Sequence, residues 1–277
     1  MKKSRGTAGY FRSGLPYNQF GNGTRHVVIF QGLEFENKPL TGLMLPLFAD
    51  MYRFLEQEYT ATIVTRKPGL PDGYTMRDMA DDYAAMIREE FGGPVDVIGV
   101  STGGSIAQHF AADHPELVRK LIIHSSAHTL SDSARSGAML IAKLASQRQW
   151  RAAYTAMVSP MILQRRNMQR IARQLIWLTA QMGGKLFGKP KNPSDLVITI
   201  EAEDKHNFKD RLGQITAPTL VVAGDKDPFY NEALFRETAE GIPNGRLILY
   251  KGMGHPAAGE EFQRDVLAFL NEGGIYS

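Results

Sequence analysis

The chain has 277 residues, of which 43% are hydrophobic and 22% charged, and its formal net charge is +3. The apolar fraction excludes an intrinsically disordered chain, and the scattered Gly and Pro exclude a collagen-like repeat. The chain contains no Cys, which excludes disulfides, thiol catalysis and Cys-ligated metal sites. The length favours one large domain, or one domain with a sizeable insertion, over several small ones.

The N-terminus begins with charged residues but reaches no apolar stretch of the kind that a secretory signal peptide contains. No run of about 18 apolar residues occurs, so the sequence predicts no membrane-spanning helix. We therefore expect a cytoplasmic protein. The small net charge predicts no nucleic-acid partner, and the oligomeric state stays open.

Short apolar runs alternate with amphipathic stretches along most of the chain. Six runs are bounded by Gly, Pro or charge, which is typical of strands buried on both faces of a parallel sheet: residues 26–30, 61–65, 95–100, 121–124, 219–223 and 247–250. Apolar residues at helical spacing predict helices over residues 76–91, 101–112 and about 260–270. Thr75 and Asp78 form a capping-box-like start to the first helix. The alternation predicts an α/β fold with a mostly parallel central sheet flanked by helices.

This alternation breaks over residues 130–210, where the pattern is helical throughout. The segment is too long for an ordinary connection, so we expect a helical cap subdomain inserted into a core of residues 1–129 and 211–277. Within the segment, one apolar stripe at helical spacing comprises Met168, Ile171, Leu175, Leu178 and Met182. Three cations lie on the opposite side of the same predicted helix: Arg166, Arg170 and Arg173.

The pentapeptide from Gly99 to Gly103, GVSTG, is the most informative motif. It directly follows a predicted buried strand and directly precedes a predicted helix, which is the setting of a nucleophile elbow. Its two Gly residues would let strand and helix approach without a colliding Cβ. Ser101 is therefore a candidate nucleophile, and the alternative is a glycine-rich turn with an incidental Ser.

A serine nucleophile needs a base, and that base needs an orienting carboxylate. His255 follows the predicted strand 247–250 in a loop, and Asp225 and Asp227 follow the strand 219–223. These side chains and Ser101 all come at carboxyl ends of strands, the edge where open α/β sheets place their sites. Either carboxylate can reach a neighbouring loop.

The order Ser, acid, His, together with its strand context, resembles that of α/β-hydrolase-fold serine hydrolases, and the resemblance covers nearly all of the chain. The predicted insertion matches that family's cap in position. The resemblance implies catalytic roles for Ser101 and His255. It also selects Asp227 over Asp225, because the family's acid usually lies three residues after the Gly that ends its strand.

The resemblance further implies an oxyanion hole made by the backbone N–H groups of Thr102 and Leu33. Many relatives have His before the Gly of the early loop, where this chain has Gln31. A backbone donor does not depend on that side chain, so the oxyanion hole should survive. We expect Gln31 either to brace the loop or to touch substrate.

The implied activity is that of a carboxylesterase that cleaves a small or medium-sized apolar ester through an acyl-enzyme, with no metal or cofactor. Carbon–carbon bond hydrolases, lactonases, thioesterases and cofactor-free haloperoxidases keep the same three residue types and stay open. A Ser at the elbow does not fit the dehalogenases and epoxide hydrolases of this fold, which use Asp. A non-catalytic ligand-binding protein on the same scaffold is the alternative of another class. Aromatic residues of the insertion suit an apolar acyl group or simply a helical core: Trp150, Trp177 and Phe187.

The net charge divides unequally along the chain. Residues 130–191 contain eleven Lys or Arg and one acid, Asp132, so they carry +10 while the remainder carries −7. The sequence therefore predicts a basic cap over an acidic core. Attraction between cap and core explains this division, and guidance of an anionic substrate or contact with an anionic surface are the functional alternatives.

Overall fold

Parallel strands make up most of the central sheet in the computed structural model, which describes residues 6–42, 44–163, 174 and 190–273. Among these residues the sheet has eight strands: β1 (Thr7–Tyr10), β2 (Pro16–Phe20), β3 (Arg25–Phe30), β4 (Tyr59–Val64), β5 (Val95–Val100), β6 (Val118–His124), β7 (Thr219–Gly224) and β8 (Gly245–Tyr250). Their spatial order is β1-β2-β4-β3-β5-β6-β7-β8. The β1–β2 and β2–β4 pairs are antiparallel, and the other pairs are parallel.

Helices connect most of these strands. The described α-helices are α1 (Met44–Tyr52), α2 (Met76–Glu90), α3 (Thr102–Asp113), α4 (Asp132–Ser146), α5 (Trp150–Leu163), α6 (Ser194–Asp204), α7 (Glu232–Gly241) and α8 (Glu260–Asn271). The capping box at the start of α2 is confirmed, because the Thr75 side chain accepts from the Asp78 N–H and the Asp78 side chain accepts from the Thr75 N–H. No helix within the described residues is long and apolar enough to cross a membrane.

The six predicted strands and the three predicted helices are confirmed, with ends shifted by three residues at most. Strands β1 and β2 were not predicted. They are short and antiparallel, and β2 alternates buried with half-buried residues rather than forming a continuous apolar run. A continuous apolar run identifies strands that are buried on both faces, so this criterion did not detect β1 and β2 at the edge of the sheet.

The sheet separates two apolar cores. On one face, Val28 and Phe30 of β3 pack with residues from α2, α3 and α7. On the other face, Val27 and Ile29 of the same strand pack with residues from α1 and α8. Because both faces are covered, the middle strands read as unbroken apolar runs, which is why their positions were predictable.

Helices α4, α5 and α6 lie between β6 and β7, in the segment where the sequence predicts the insertion. Their apolar side chains form a third cluster with Phe35 from the loop after β3: Ile141, Ala142, Ala145, Ala153, Tyr154, Leu196 and Ile200. The Phe35 and Tyr154 rings stack with centroids 3.7 Å apart. Several residues that the sequence singled out lie outside the described residues: Arg166, Met168, Arg170, Ile171, Arg173, Leu175, Trp177, Leu178, Met182 and Phe187.

Candidate active site

Ser101 occupies a sharp turn between β5 and α3. Its φ of 52° and ψ of −125° fall outside the regions that L-residues ordinarily adopt. Two backbone hydrogen bonds hold the turn, from the Ser101 N–H to the His124 carbonyl oxygen at 3.0 Å and from the Gly104 N–H to the Ser101 carbonyl oxygen at 2.7 Å. This conformation is the strained strand–turn–helix geometry that the GVSTG motif predicts.

The two Gly residues of the motif are required by close approach of the backbone. A Cβ on Gly99 would lie 2.6 Å from the Cβ of Ala107 in α3. A Cβ on Gly103 would lie only 2.0 Å from the carbonyl oxygen of Phe30 in β3. Larger side chains at either position would therefore push the helix away from the sheet and displace the turn between them.

The structure brings Ser101, His255 and Asp227 together from three separate loops. Ser101 Oγ lies 3.0 Å from His255 Nε2, and His255 Nδ1 lies 2.7 Å from Asp227 Oδ2. The imidazole and carboxylate side chains are 4% and 0% exposed. Because a carboxylate only accepts, Nδ1 carries the proton and Nε2 is free to accept from the serine hydroxyl.

The Asp227 carboxylate is fixed by its own loop. Its Oδ1 accepts hydrogen bonds from the N–H groups of Phe229 and Tyr230, at 2.9 and 3.2 Å. The same two residues place their rings beside His255, with centroids 4.7 and 6.2 Å from the imidazole. The carboxylate and imidazole are therefore oriented by the segment that follows β7.

Asp225 lies in a different environment, although it is only two residues away. Its Oδ1 accepts from the Gly252 N–H at 2.6 Å, and its Oδ2 pairs with Lys226 at 3.0 Å. The Lys226 hydrogen bond and then the Gly252 N–H lower the pKa of this carboxyl. Asp225 therefore links the loop after β7 to the loop after β8.

The loop from Gln31 to Leu33 passes directly beside the elbow. A Cβ on Gly32 would lie 3.4 Å from Ser101 Cβ. Arg66, which is fully buried, donates to the carbonyl oxygens of Gln31 and Gly32 at 3.0 and 2.8 Å. In a trans peptide the C=O and N–H point in opposite directions, so the Leu33 N–H points away from Arg66. Thr102 begins α3, where the first N–H groups have no partner within the helix.

The Gln31 side chain makes a hydrogen bond within this loop. Its side chain is fully buried, and Nε2 donates to Glu34 Oε1 at 2.9 Å. Its Oε1 is buried and accepts no hydrogen bond within the described part of the chain. Of the two roles that the sequence left open, the geometry favours bracing, and contact with substrate stays a prediction.

Two further groups support the site and were not predicted. Arg66 directly follows an apolar run, and a cation at the carboxyl end of a buried strand is the signal that could have identified it.

His124, the last residue of β6, contacts the Ala257 carbonyl oxygen through Nε2 and the Tyr52 hydroxyl through Nδ1, both at 2.7 Å. The Ala257 N–H donates to Ser125 Oγ at 3.0 Å. The end of β6 thus anchors the loop that carries His255.

Two acids, Glu34 and Glu203, contact these elements. Burial raises the pKa of Glu34, against a smaller opposing effect of the hydrogen bond from Gln31. Burial also raises the pKa of Glu203, against the hydrogen bonds from Thr102 and Ser105. Arg66 is a common cation near both carboxyls and lowers each pKa. Within the described ranges no group of three or more His, Cys, Asp or Glu side chains could hold a metal ion.

Comparison with known proteins identifies relatives. The chain is 26% identical over 210 residues to the putative carbamate hydrolase RutD of Serratia proteamaculans (strain 568), covering 74% of this chain and 76% of the relative. It is 23% identical over 286 residues to a 2-hydroxy-6-oxononadienedioate/2-hydroxy-6-oxononatrienedioate hydrolase of a Pseudomonas species, covering 95% and 94%.

Among solved structures, MGS-M2, an alpha/beta hydrolase enzyme from a Medee basin deep-sea metagenome library, superposes with a TM-score of 0.75. The two chains are 14% identical, and the match covers 98% of this chain and 99% of the other. A protein-family model described as alpha/beta hydrolase fold matches residues 60–262, well over half of the chain. With its mostly parallel sheet and this match, the chain belongs to the alpha/beta hydrolase fold family and is a hydrolase.

Proposed function

We propose that the chain is a serine carboxylesterase that cleaves small or medium-sized apolar esters. The observation that carries this proposal is the pair of distances in the site, 3.0 Å from Ser101 Oγ to His255 Nε2 and 2.7 Å from His255 Nδ1 to Asp227 Oδ2. Both lie within hydrogen-bond reach, as a nucleophile, a base and its orienting acid require.

In the proposed reaction, Ser101 Oγ attacks the ester carbonyl carbon while His255 Nε2 takes the hydroxyl proton. Asp227 holds the imidazole and stabilises its cation, and the N–H groups of Leu33 and Thr102 stabilise the tetrahedral oxyanion. The carbon–alkoxide bond then breaks, and His255 returns the proton to the leaving alcohol. Water, activated by His255, hydrolyses the acyl-enzyme and releases the carboxylic acid.

The proposed preference for apolar esters rests on the surroundings of the loop from Gln31 to Leu33. Leu33 is half-buried and packs against the third apolar cluster, which helices α4, α5 and α6 form with Phe35. We propose that residues 130–210 are a cap subdomain on a core of residues 1–129 and 211–277, and that this cluster lines the acyl side of the site. An apolar acyl group would gain about 25 cal/mol for each Å² that it buries there.

The test is the rate at which Ser101→Ala hydrolyses short p-nitrophenyl esters. We expect turnover to fall to the background rate, because Ser101 Oγ is the hydroxyl that lies within hydrogen-bond distance of His255 Nε2. Ser133→Ala, on the exposed start of α4, is the matched control and should retain the wild-type rate. Undiminished turnover in Ser101→Ala would overturn the proposal.

A substrate panel separates the ester assignment from the alternatives. Wild-type protein is assayed on esters, lactones, thioesters, carbamates and vinylogous diketones of similar apolar surface, and we expect the highest kcat/KM on esters. A fluorophosphonate probe should label Ser101 and should not label Ser101→Ala. Failure to label the folded wild-type protein would favour a non-catalytic ligand-binding protein.

A further inference from the structure

Glu203 is a buried carboxylate that contacts the first turn of the helix after the elbow. It lies in the last turn of α6 and is 4% exposed. Its Oε2 accepts from the Thr102 hydroxyl at 2.7 Å, and its Oε1 accepts from the Ser105 hydroxyl at 3.1 Å. One side chain from the segment between β6 and β7 therefore accepts hydrogen bonds from two hydroxyls in the first turn of α3.

Burial of a carboxylate opposes folding unless the charge is compensated, and an uncompensated ion costs several kcal/mol. Helix α6 has an exposed face, because Glu201, two residues earlier, is open to solvent. The acid at position 203 is thus directed inward. The hydroxyl donors of Thr102 and Ser105 and the nearby Arg66 guanidinium lower the pKa of this carboxyl against the larger effect of burial.

Glu203 also lies close to the residues that flank the imidazole. The pKa of the Tyr230 hydroxyl is raised by burial and by the neighbouring carboxylates of Glu203 and Asp227. The Tyr230 ring stacks on His255, with centroids 6.2 Å apart. The carboxylate of Glu203 therefore belongs to the surroundings of the site, on the side of Thr102.

We propose that Glu203 is a positioning residue that acts through Thr102. By fixing the Thr102 side chain, it holds the first peptide of α3 in the orientation in which the Thr102 N–H faces the oxyanion. This inference rests on the proposed esterase function. Because the oxyanion exists only in the transition state and the tetrahedral intermediate, Glu203 should affect kcat and leave KM almost unchanged.

The rival explanation is that Glu203 only ties α6 to the core. In that case its removal lowers the melting temperature without changing kcat at temperatures where the protein is folded. The two explanations differ most clearly at Thr102, where Thr102→Val removes the hydroxyl, retains the backbone N–H and keeps nearly the same volume. Thr102→Ser keeps the hydroxyl and is the matched conservative variant.

The experiment measures kcat, KM and melting temperature of the full chain with a p-nitrophenyl ester. We expect Glu203→Ala and Thr102→Val each to lower kcat about tenfold, less than the roughly hundredfold loss that follows outright removal of an oxyanion donor. KM should stay within about twofold. Glu203→Gln and Thr102→Ser, which keep an acceptor and a donor, should stay within about threefold of the wild-type kcat. The control Glu201→Gln should match the wild type.

The double variant decides whether Glu203 acts through Thr102. If it does, Thr102→Val with Glu203→Ala should lose no more activity than either single variant, whereas independent effects would multiply to about a hundredfold. Wild-type kcat in folded Glu203→Ala, multiplied losses in the double variant, or wild-type kcat in Thr102→Val would each overturn the inference. If Glu203→Ala does not fold, Thr102→Val against Thr102→Ser decides.

Ser101→Ala, assayed in parallel, separates this inference from the proposed function. Loss of turnover in Ser101→Ala with wild-type kcat in Thr102→Val and Glu203→Ala would refute the positioning role alone. Turnover that persists in Ser101→Ala would refute the esterase mechanism itself.

Discussion

The guanidinium of Arg66 donates a hydrogen bond to the Gly32 carbonyl oxygen at 2.8 Å. The acceptor belongs to the peptide that also contains the Leu33 N–H, so the direction of that N–H follows from where Arg66 holds the carbonyl. A second hydrogen bond, to the Gln31 carbonyl oxygen at 3.0 Å, fixes the preceding peptide. A side chain outside the proposed triad thus orients a proposed oxyanion donor.

Arg66→Lys should lower kcat by about tenfold to a hundredfold, because a single ammonium cannot reproduce two parallel donors on adjacent carbonyls. The measurement is steady-state hydrolysis of a p-nitrophenyl ester. Arg77→Lys is the control, since the Arg77 side chain is 62% exposed and ion-paired at the surface, and its kcat should not change. Equal rates in both variants would contradict the role of Arg66.

The two neighbouring carboxylates after β7 should differ sharply in their effect. Asp227→Asn should lower kcat by roughly 10⁴-fold, because the amide no longer holds the imidazole with its proton on Nδ1. Asp225→Asn should stay within about threefold, since Asp225 contacts Gly252 and Lys226. The ratio of the two kcat values, measured with one ester, checks the assignment. A larger loss in Asp225→Asn would reverse it.

Gly103→Ala should destabilise the protein by about 3 kcal/mol or more, because the added Cβ meets the Phe30 carbonyl oxygen. Gly137→Ala is the matched change. Among the described residues, no atom outside the neighbouring backbone of α4 lies within 4 Å of a Cβ at Gly137, and the substitution should stabilise the protein by about 0.5–1 kcal/mol. Urea unfolding of both variants measures the difference. A stable, active Gly103→Ala would contradict the close approach of helix and sheet.

Stability should decrease as pH falls below about 6.5, the ordinary pKa of an exposed His. Burial lowers the pKa of His124 to about 3, so between these values the unfolded chain binds a proton that the folded chain does not. This one site contributes a slope of up to about 1.4 kcal/mol per pH unit.

His124→Gln keeps a donor for the Ala257 carbonyl oxygen but does not titrate. Its free energy of unfolding, measured with urea between about pH 6.5 and 4.5, should therefore depend less steeply on pH than that of the wild type. Identical slopes for the two proteins would show that His124 does not contribute.

The sequence predicted those parts of the fold that depend on local pattern. Buried strands such as β5 show as apolar runs, and the elbow at Ser101 combines a Gly–x–Ser–x–Gly motif with its flanking strand and helix. The choice of Asp227 over Asp225 needed a family resemblance, because both carboxylates follow the same strand. Only the three-dimensional structure shows that the first contacts His255 while the second contacts Gly252.

Long-range contacts account for what the sequence did not predict. Glu203 lies 101 positions from Thr102 along the chain and looks like any acid on an amphipathic helix until α6 is packed against α3. Arg66 and Gln31 are 35 positions apart and meet because β3 and β4 are neighbours in the sheet. The spacing of residues within one strand or helix gives no information about such contacts between different elements.

The positive φ of Ser101 implies that thermal stability and turnover favour different residues at this position. A non-Gly residue in this conformation costs the native state about 1–3 kcal/mol, which is more than the roughly 0.5–1 kcal/mol of extra backbone entropy that Gly gives the unfolded chain. Ser101→Gly should therefore melt at a higher temperature than the wild type while losing its turnover. Gly, the residue that this backbone conformation favours, lacks the hydroxyl on which the proposed mechanism depends, so the more thermally stable variant would be inactive.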